Sequence, residues 1–154
     1  KVLIMENNNE LAFDIFLKNF KKNVSKIGLK NSIQKDYILK ILYFSHEHLT
    51  AEEISNEIKT KYNVSIGIAT VYRAMKFFND MKLVNTLDVG DGIVRYELNL
   101  SNHHDHLICT SCGKIIEFTD DFIELNQIKI AEKNNFILKE HVMTIYGFCE
   151  NCQK

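Results

Sequence analysis

Residues 65–98 read SIGIATVYRAMKFFNDMKLVNTLDVGDGIVRYEL, and this stretch decides the fold of the first part of the chain. Ser65 to Thr70 leads into Val71-Tyr72-Arg73-Ala74-Met75-Lys76-Phe77-Phe78, which predicts a helix over about residues 69–79. Residues 83–87 and 94–98 are rich in β-forming side chains, and Gly90-Asp91-Gly92 between them signals a hairpin turn. A helix running into a two-stranded ribbon is the closing half of a winged helix-turn-helix.

Upstream, the pattern completes that motif. Thr50-Ala51-Glu52-Glu53 has the form of a capping box, in which the hydroxyl caps the first turn and Glu53 reaches back; a helix follows to about Lys59. Ser32 caps another helix with apolar positions Ile33, Tyr37, Ile38, Ile41 and Leu42. Residues 10–24 set Leu11, Phe13, Phe16, Leu17, Phe20 and Val24 near helical spacing, and Gly28 breaks the pattern. The order is therefore a winged helix with one extra helix in front. Downstream of a boundary near residues 99–102, residues 107–109 and 115–118 read as short strands. Residues 120–134 read as a helix with an acidic first turn, and the alternation over 136–146 reads as a strand. The fold class is α+β: an N-terminal winged-helix domain in residues 1–98 and a small α/β domain in residues 99–154.

Composition sets the class of protein. Apolar residues make up 45% and charged residues 25%, which excludes a disordered chain. No apolar run approaches the roughly 20 residues of a membrane span, and Val2 to Met5 are too few for a signal-peptide core, so a cytoplasmic protein without membrane contact is expected. The net charge of −1 hides an asymmetry. Residues 1–87 hold 13 lysines and arginines against 9 acidic residues, whereas residues 88–154 hold 6 against 11. A basic front suits a polyanion and an acidic back suits cations, although a solvated surface with random variation reads the same way.

All four cysteines fall in two pairs, Cys109-Thr-Ser-Cys112 and Cys149-Glu-Asn-Cys152. Each pair can offer two thiolates to one ion, and four thiolates close a tetrahedral zinc shell with no open position, which staples rather than catalyses. The 36 residues between the pairs exceed a compact zinc ribbon, so the loop must carry its own helix and strand. The rival readings are a disulfide framework, disfavoured in the cytoplasm, and a redox dithiol, which needs only one pair.

Just before the first pair stands His103-His104-Asp105-His106. In an extended backbone, His103 and Asp105 point one way and His104 and His106 the other, so one short strand can feed two metal sites. Imidazole and carboxylate ligands suit Fe²⁺, Mn²⁺ or Zn²⁺. His46, His48, His141, Glu97, Glu117 and Glu124 are further donors near expected elements. The chain has neither an H-E-x-x-H zinc motif nor a Gly-x-Ser-x-Gly elbow, so nothing specific points to catalysis, and a metalloenzyme built on the 103–106 cluster is the alternative from another class.

Together, Gly67-Ile68-Ala69-Thr70-Val71-Tyr72-Arg73, the run from His103 through Cys109-x-x-Cys112-Gly113-Lys114, and the closing Cys149-x-x-Cys152 resemble the ferric uptake regulator family over roughly residues 11–152. The resemblance implies a homodimer, with a tetramer left open, whose second domain dimerises. It implies a structural Zn²⁺ on Cys109, Cys112, Cys149 and Cys152. It implies a regulatory site from His48, Glu97, His104, His106 and Glu117, with His46 close enough to His48 to replace it. A third site would use His103, Asp105, Glu124 and His141. Glutamates at 97 and 117, with no cysteine left over, fit the Fe²⁺-responsive branch; zinc-, manganese- and peroxide-sensing members are the alternatives.

The implied activity is repression of iron-uptake and metal-homeostasis genes through palindromic double-stranded operator DNA. The second helix of the motif enters the major groove. There Arg73 can fork onto guanine or phosphate and Tyr72 can touch a thymine methyl, unless it packs in the core; Thr70 lies beside them. Lys30 matches a minor-groove contact of the family. One departure stands out: Gln34 is followed by Lys35, where many relatives have arginine, and lysine cannot fork onto a phosphate.

Overall fold

The computed structural model describes residues 2–45, 47–100 and 103–153, with side chains from residue 9 onward. His46 lies outside the described residues. The chain separates into two compact units: Lys1–Asp88 with Gly92–Leu100, and Val89–Asp91 with Ser101–Lys154.

In the first unit, α1 spans Val2–Lys26 and outruns the expected 10–24 at both ends. Helix α2 (Ile33–Phe44) starts at Ser32, whose side chain accepts the Lys35 N–H. Strand β1 is only Leu49–Thr50, and α3 (Ala51–Tyr62) follows at once. Here Thr50 and Glu53 form both arms of the capping box: the Glu53 N–H donates to Thr50 Oγ1, and Glu53 Oε2 accepts the Thr50 N–H at 2.8 Å. Helix α4 covers Ile68–Asp80, and β2 (Val84–Asp88) and β3 (Val94–Leu98) form the wing. Their paired residues are equidistant from Asp91, so the Gly90-Asp91-Gly92 turn fixes the register. Gly90 and Gly92 take φ of +91° and +75°, which only glycine adopts freely.

The core of this unit gathers Phe13, Phe20 and Val24 of α1, Ile38, Leu39, Ile41 and Leu42 of α2, Ile54 and Ile58 of α3, and Val71, Ala74, Met75 and Phe78 of α4. Phe20 meets Phe78 edge-on at 5.8 Å between ring centroids, which ties the extra helix to α4. The wing has three strands in the order β1-β3-β2, all antiparallel. Two residues of β1 are too few for any period to register, and the sequence reading contains no such strand.

The second unit holds β4 (Asp105–Cys109), β5 (Ile115–Phe118), α5 (Asp121–Lys133), β6 (Thr144–Gly147) and a 3-10 turn at Glu150–Cys152. The sheet order is β5-β4-β6, with β4 antiparallel to β5 and parallel to β6. The expected strand over 136–146 is corrected to Thr144–Gly147. Parallel register sets Thr144 opposite His106, one residue from the start of β4, and the Met143 carbonyl accepts the His106 N–H at 3.2 Å, so residues 136–142 have no stretch of β4 to pair with. Alternating side chains are necessary for a half-buried strand, but a partner edge makes it one. Among the described residues, no helix is long and apolar enough to cross a membrane.

Candidate metal centres

Parallel pairing explains how cysteines far apart in sequence meet. Strands β4 and β6 end on the same side, Cys109 opposite Gly147, so the chain leaving each strand carries its cysteine pair to one place. A tight turn then returns the Gly113 N–H to the Cys109 carbonyl, and the 3-10 turn returns the Cys152 N–H to that of Cys149. All four sulfurs lie within 4.8 Å of one another, and Cys112 Sγ is 3.7 Å from Cys149 Sγ. A tetrahedral zinc shell with bonds of about 2.3 Å has sulfur–sulfur edges of about 3.8 Å, whereas a disulfide is about 2.05 Å. The four thiols are free.

Their proton affinities diverge. Cys109 accepts the Cys149 N–H at 3.3 Å; this donor and the Cys112 N–H pull its thiol down to about 6. The Ser111 hydroxyl pulls Cys152 down, but the crowding sulfurs of Cys149 and Cys112 outweigh it and push the thiol up to about 12. The Lys114 N–H pulls on Cys112, and the Cys109 and Cys149 sulfurs again prevail and raise it. A tetrad so close cannot carry four negative charges without a cation, and its donor set fits zinc.

A second cluster lies on one face at the head of β4. His103 and Asp105 meet Glu124, one turn into α5, and His141, which precedes β6. Asp120 fixes the start of α5 by accepting the Phe122 and Ile123 N–H groups, which sets where Glu124 points. The His103 and His141 Nε2 atoms are 2.7 Å apart, and each is 3.4–3.5 Å from a carboxylate oxygen of Asp105 and of Glu124. Asp105 is 1% exposed and neither of its oxygens accepts a hydrogen bond; nor does Glu124 Oε1. A buried carboxylate without donors is costly, and a cation removes the cost. Tetrahedral nitrogen and oxygen ligands about 2.1 Å from an ion sit about 3.4 Å apart; the imidazole–carboxylate spacings match that edge, while the two imidazole nitrogens stand closer, at 2.7 Å.

The remaining donors form two groups, one within each unit. In the second unit the His104 and His106 rings are 4.9 Å apart, His104 Nε2 is 3.9 Å from Glu117 Oε1, and Glu117 is the cross-strand partner of His106. In the first unit His48 Nε2 lies 3.5 Å from Glu97 Oε2, their side chains 5% and 14% exposed. Strand β1 is responsible: Leu49 pairs with Tyr96, so the same register carries His48 level with Glu97.

The nucleic-acid candidates lie on α4 and ahead of α2. Helix α4 buries Val71, Ala74, Met75 and Phe78 and exposes Tyr72 and Arg73, so Tyr72 is not a core residue. The Tyr72 hydroxyl donates to Glu52 of α3 at 3.3 Å, and Arg73 donates to Thr70 Oγ1 at 3.0 Å, so both side chains are held in place. Lys30 is exposed, and its carbonyl accepts the Lys35 ammonium at 3.1 Å. That ammonium also sits 3.6 Å from the Phe77 ring centroid, and burial lowers its pKa. Lys35 therefore braces the segment that carries Lys30.

Two features of these sites had no counterpart in the sequence reading. The backbone N–H groups on Cys109 leave no trace in side-chain identity. Asn85 donates to Glu97 Oε1 at 3.0 Å, which the symmetry of the hairpin about Asp91 places within reach of inference.

Comparison with known proteins bears on these arrangements. A family model described as ferric uptake regulator family matches residues 26–146. The ferric uptake regulation protein of Campylobacter upsaliensis is 41% identical over 97% of this chain and 95% of its own length. The solved Helicobacter pylori ferric uptake regulator, described as having three functional metal-binding sites, aligns with a TM-score of 0.83 and 36% identity over 92% of this chain and 94% of that one. The Francisella tularensis ferric uptake regulator, solved with iron, aligns with a TM-score of 0.72 and 33% identity over 82% of this chain and 96% of that one.

Proposed function

The chain belongs to the ferric uptake regulator family, and from that premise we propose that it is an Fe²⁺-responsive repressor acting in the cytoplasm. In this reading it binds palindromic double-stranded operator DNA as a homodimer and turns over no substrate. Residues 1–98 form the DNA-reading head and residues 99–154 the dimerisation domain. Tyr72, Arg73 and Thr70 of α4 address the major groove and Lys30 the minor groove, a role supported by the exposure of Tyr72, Arg73 and Lys30.

Three ligand sets follow. Cys109, Cys112, Cys149 and Cys152 hold Zn²⁺ as a staple. His103, Asp105, Glu124 and His141 hold a second ion inside the dimerisation domain. His48, Glu97, His104, His106 and Glu117 hold the regulatory ion, Fe²⁺ by the family reading, with Mn²⁺ or Zn²⁺ able to compete for the same nitrogen and oxygen donors. A divalent cation, when bound, supplies the charge and the directional bonds that draw such ligands to one point. The observation that carries the proposal is the division of donors: His48 and Glu97 sit as a close pair in one unit, His104, His106 and Glu117 as a cluster in the other, and neither set is complete alone. A shared ion fixes the angle between head and dimerisation domain, and half-sites at fixed spacing accept one angle. Metal shifts the population only as far as it prefers that arrangement.

The test is anaerobic operator binding with Fe²⁺, Mn²⁺ or Zn²⁺, with bound metal counted per subunit. His104→Ala is expected to abolish the metal-dependent gain in operator affinity while leaving structural zinc in place. Unchanged metal dependence in that variant removes the hinge role.

A further inference from the structure

We infer that Asn85 of the wing is the positioning residue for the regulatory ion: its amide fixes which oxygen Glu97 presents and so sets the affinity of the site. The inference rests on the reading of Glu97 as a ligand. Three observations within the first unit carry it. Asn85 and Glu97 are directly opposed cross-strand partners, close enough for side chains to touch across the ladder. The Asn85 amide donates to Glu97 Oε1 at 3.0 Å, a full-strength hydrogen bond. The other oxygen, Oε2, is the one turned to His48 Nε2, at 3.5 Å.

The two carboxylate oxygens thus have different tasks. A glutamate on a strand has three rotatable bonds, and its carboxylate turns readily to solvent. With Oε1 tied to the amide, Oε2 is held beside the imidazole at the spacing of two ligands on one ion, so Glu97 binds through one oxygen. Hydrogen-bonded partners of this kind orient a ligand before metal arrives, and their loss typically weakens metal binding about 10- to 100-fold. Asn85 is itself exposed, so its replacement leaves the core of the wing, Val84, Leu87 and Tyr96, untouched.

The experiment titrates Mn²⁺ into the full-length, zinc-loaded protein, following free Mn²⁺ by its electron paramagnetic resonance signal. Wild type, Asn85→Leu, Asn85→Ala, Glu97→Ala and the double variant Asn85→Leu/Glu97→Ala are compared. Glu97→Ala identifies the regulatory binding event. Both Asn85 variants are expected to weaken that same event about 10- to 100-fold. The event assigned to His103, Asp105, Glu124 and His141 stays unchanged and serves as the control for folding. In the Glu97→Ala background, Asn85→Leu is expected to add nothing, because Asn85 acts only through Glu97; a general structural role would add its own loss. If Glu97→Ala weakens binding and the Asn85 variants do not, the positioning role is wrong and the ligand assignment stands. If Glu97→Ala itself leaves Mn²⁺ binding intact, the ligand assignment fails and the inference with it.

Discussion

At the scale of single residues, the sulfur tetrad makes a prediction through its protons. Metal binding requires thiolates, so any thiol protonated beforehand must release its proton. Cys112 and Cys152, both raised by neighbouring sulfurs, enter as thiols at neutral pH and each gives one up. Cys109, lowered to about 6 by the N–H groups of Cys149 and Cys112, is already a thiolate there and contributes none. As the pH falls through that value, the metal-free protein takes up a proton on Cys109 that zinc must then displace. Calorimetry of Zn²⁺ binding in buffers of different ionisation enthalpy is therefore expected to show proton release rising by about one between about pH 7.5 and pH 5. A release that stays flat across that interval contradicts the part assigned to the backbone donors. The cysteine spacing announced the site, because two C-x₂-C pairs suit one tetrahedral ion. It was silent on which thiol ionises first, because peptide N–H groups look alike in any sequence.

At the scale of elements, what could be read in advance was what the chain encodes locally. Ser32 and Thr50 cap their helices with side chains that reach no further than the first turn. Thr50→Ala, which removes the hydroxyl that accepts the Glu53 N–H, is expected to destabilise the protein by about 1 kcal/mol in urea unfolding. Glu53→Gln keeps a carbonyl for the Thr50 N–H and is expected to cost less. Equal losses from the two variants, or none from Thr50→Ala, remove the cap as the reason α3 begins where it does. Features defined by a distant partner were read poorly. Strand β1 exists only because β3 lies beside it, and without β1 there is no register to set His48 against Glu97. Residues 136–142 fail in the opposite sense: the alternation is present and the partner strand is not. The wing was legible because its turn and its pairing are neighbours in sequence.

At the scale of the molecule, the second unit leaves a large apolar area in water. Helix α5 buries none of its residues, and Phe122 is 73% exposed; beyond it Ile137 and Val142 are each 89% exposed. Isolated exposed apolar residues are ordinary, but so many from one helix and the following segment form a surface that wants a partner. In the proposed homodimer that partner is the same face of a second copy, because a two-fold interface pairs a patch with itself. Residues 136–142, whose side chains alternate in sequence yet which do not pair with β4, add Phe136, Ile137, Leu138 and Val142 to the exposed apolar residues of this unit. Ile137→Asp puts a charge into that contact, leaves the buried core of the first unit alone and is remote in sequence from the four cysteines, although Ile137 lines the same cavity as His103, Glu124 and His141. The variant is expected to sediment as a monomer at concentrations where the parent is a dimer. Linking two heads raises operator affinity beyond that of either alone, so the monomer is expected to bind a palindromic operator about 100-fold or more weaker while keeping its zinc. A variant that still sediments as a dimer shows that the subunits meet elsewhere. A monomer that binds the palindrome as tightly as the parent separates DNA reading from dimerisation and removes the reason for a hinge between them.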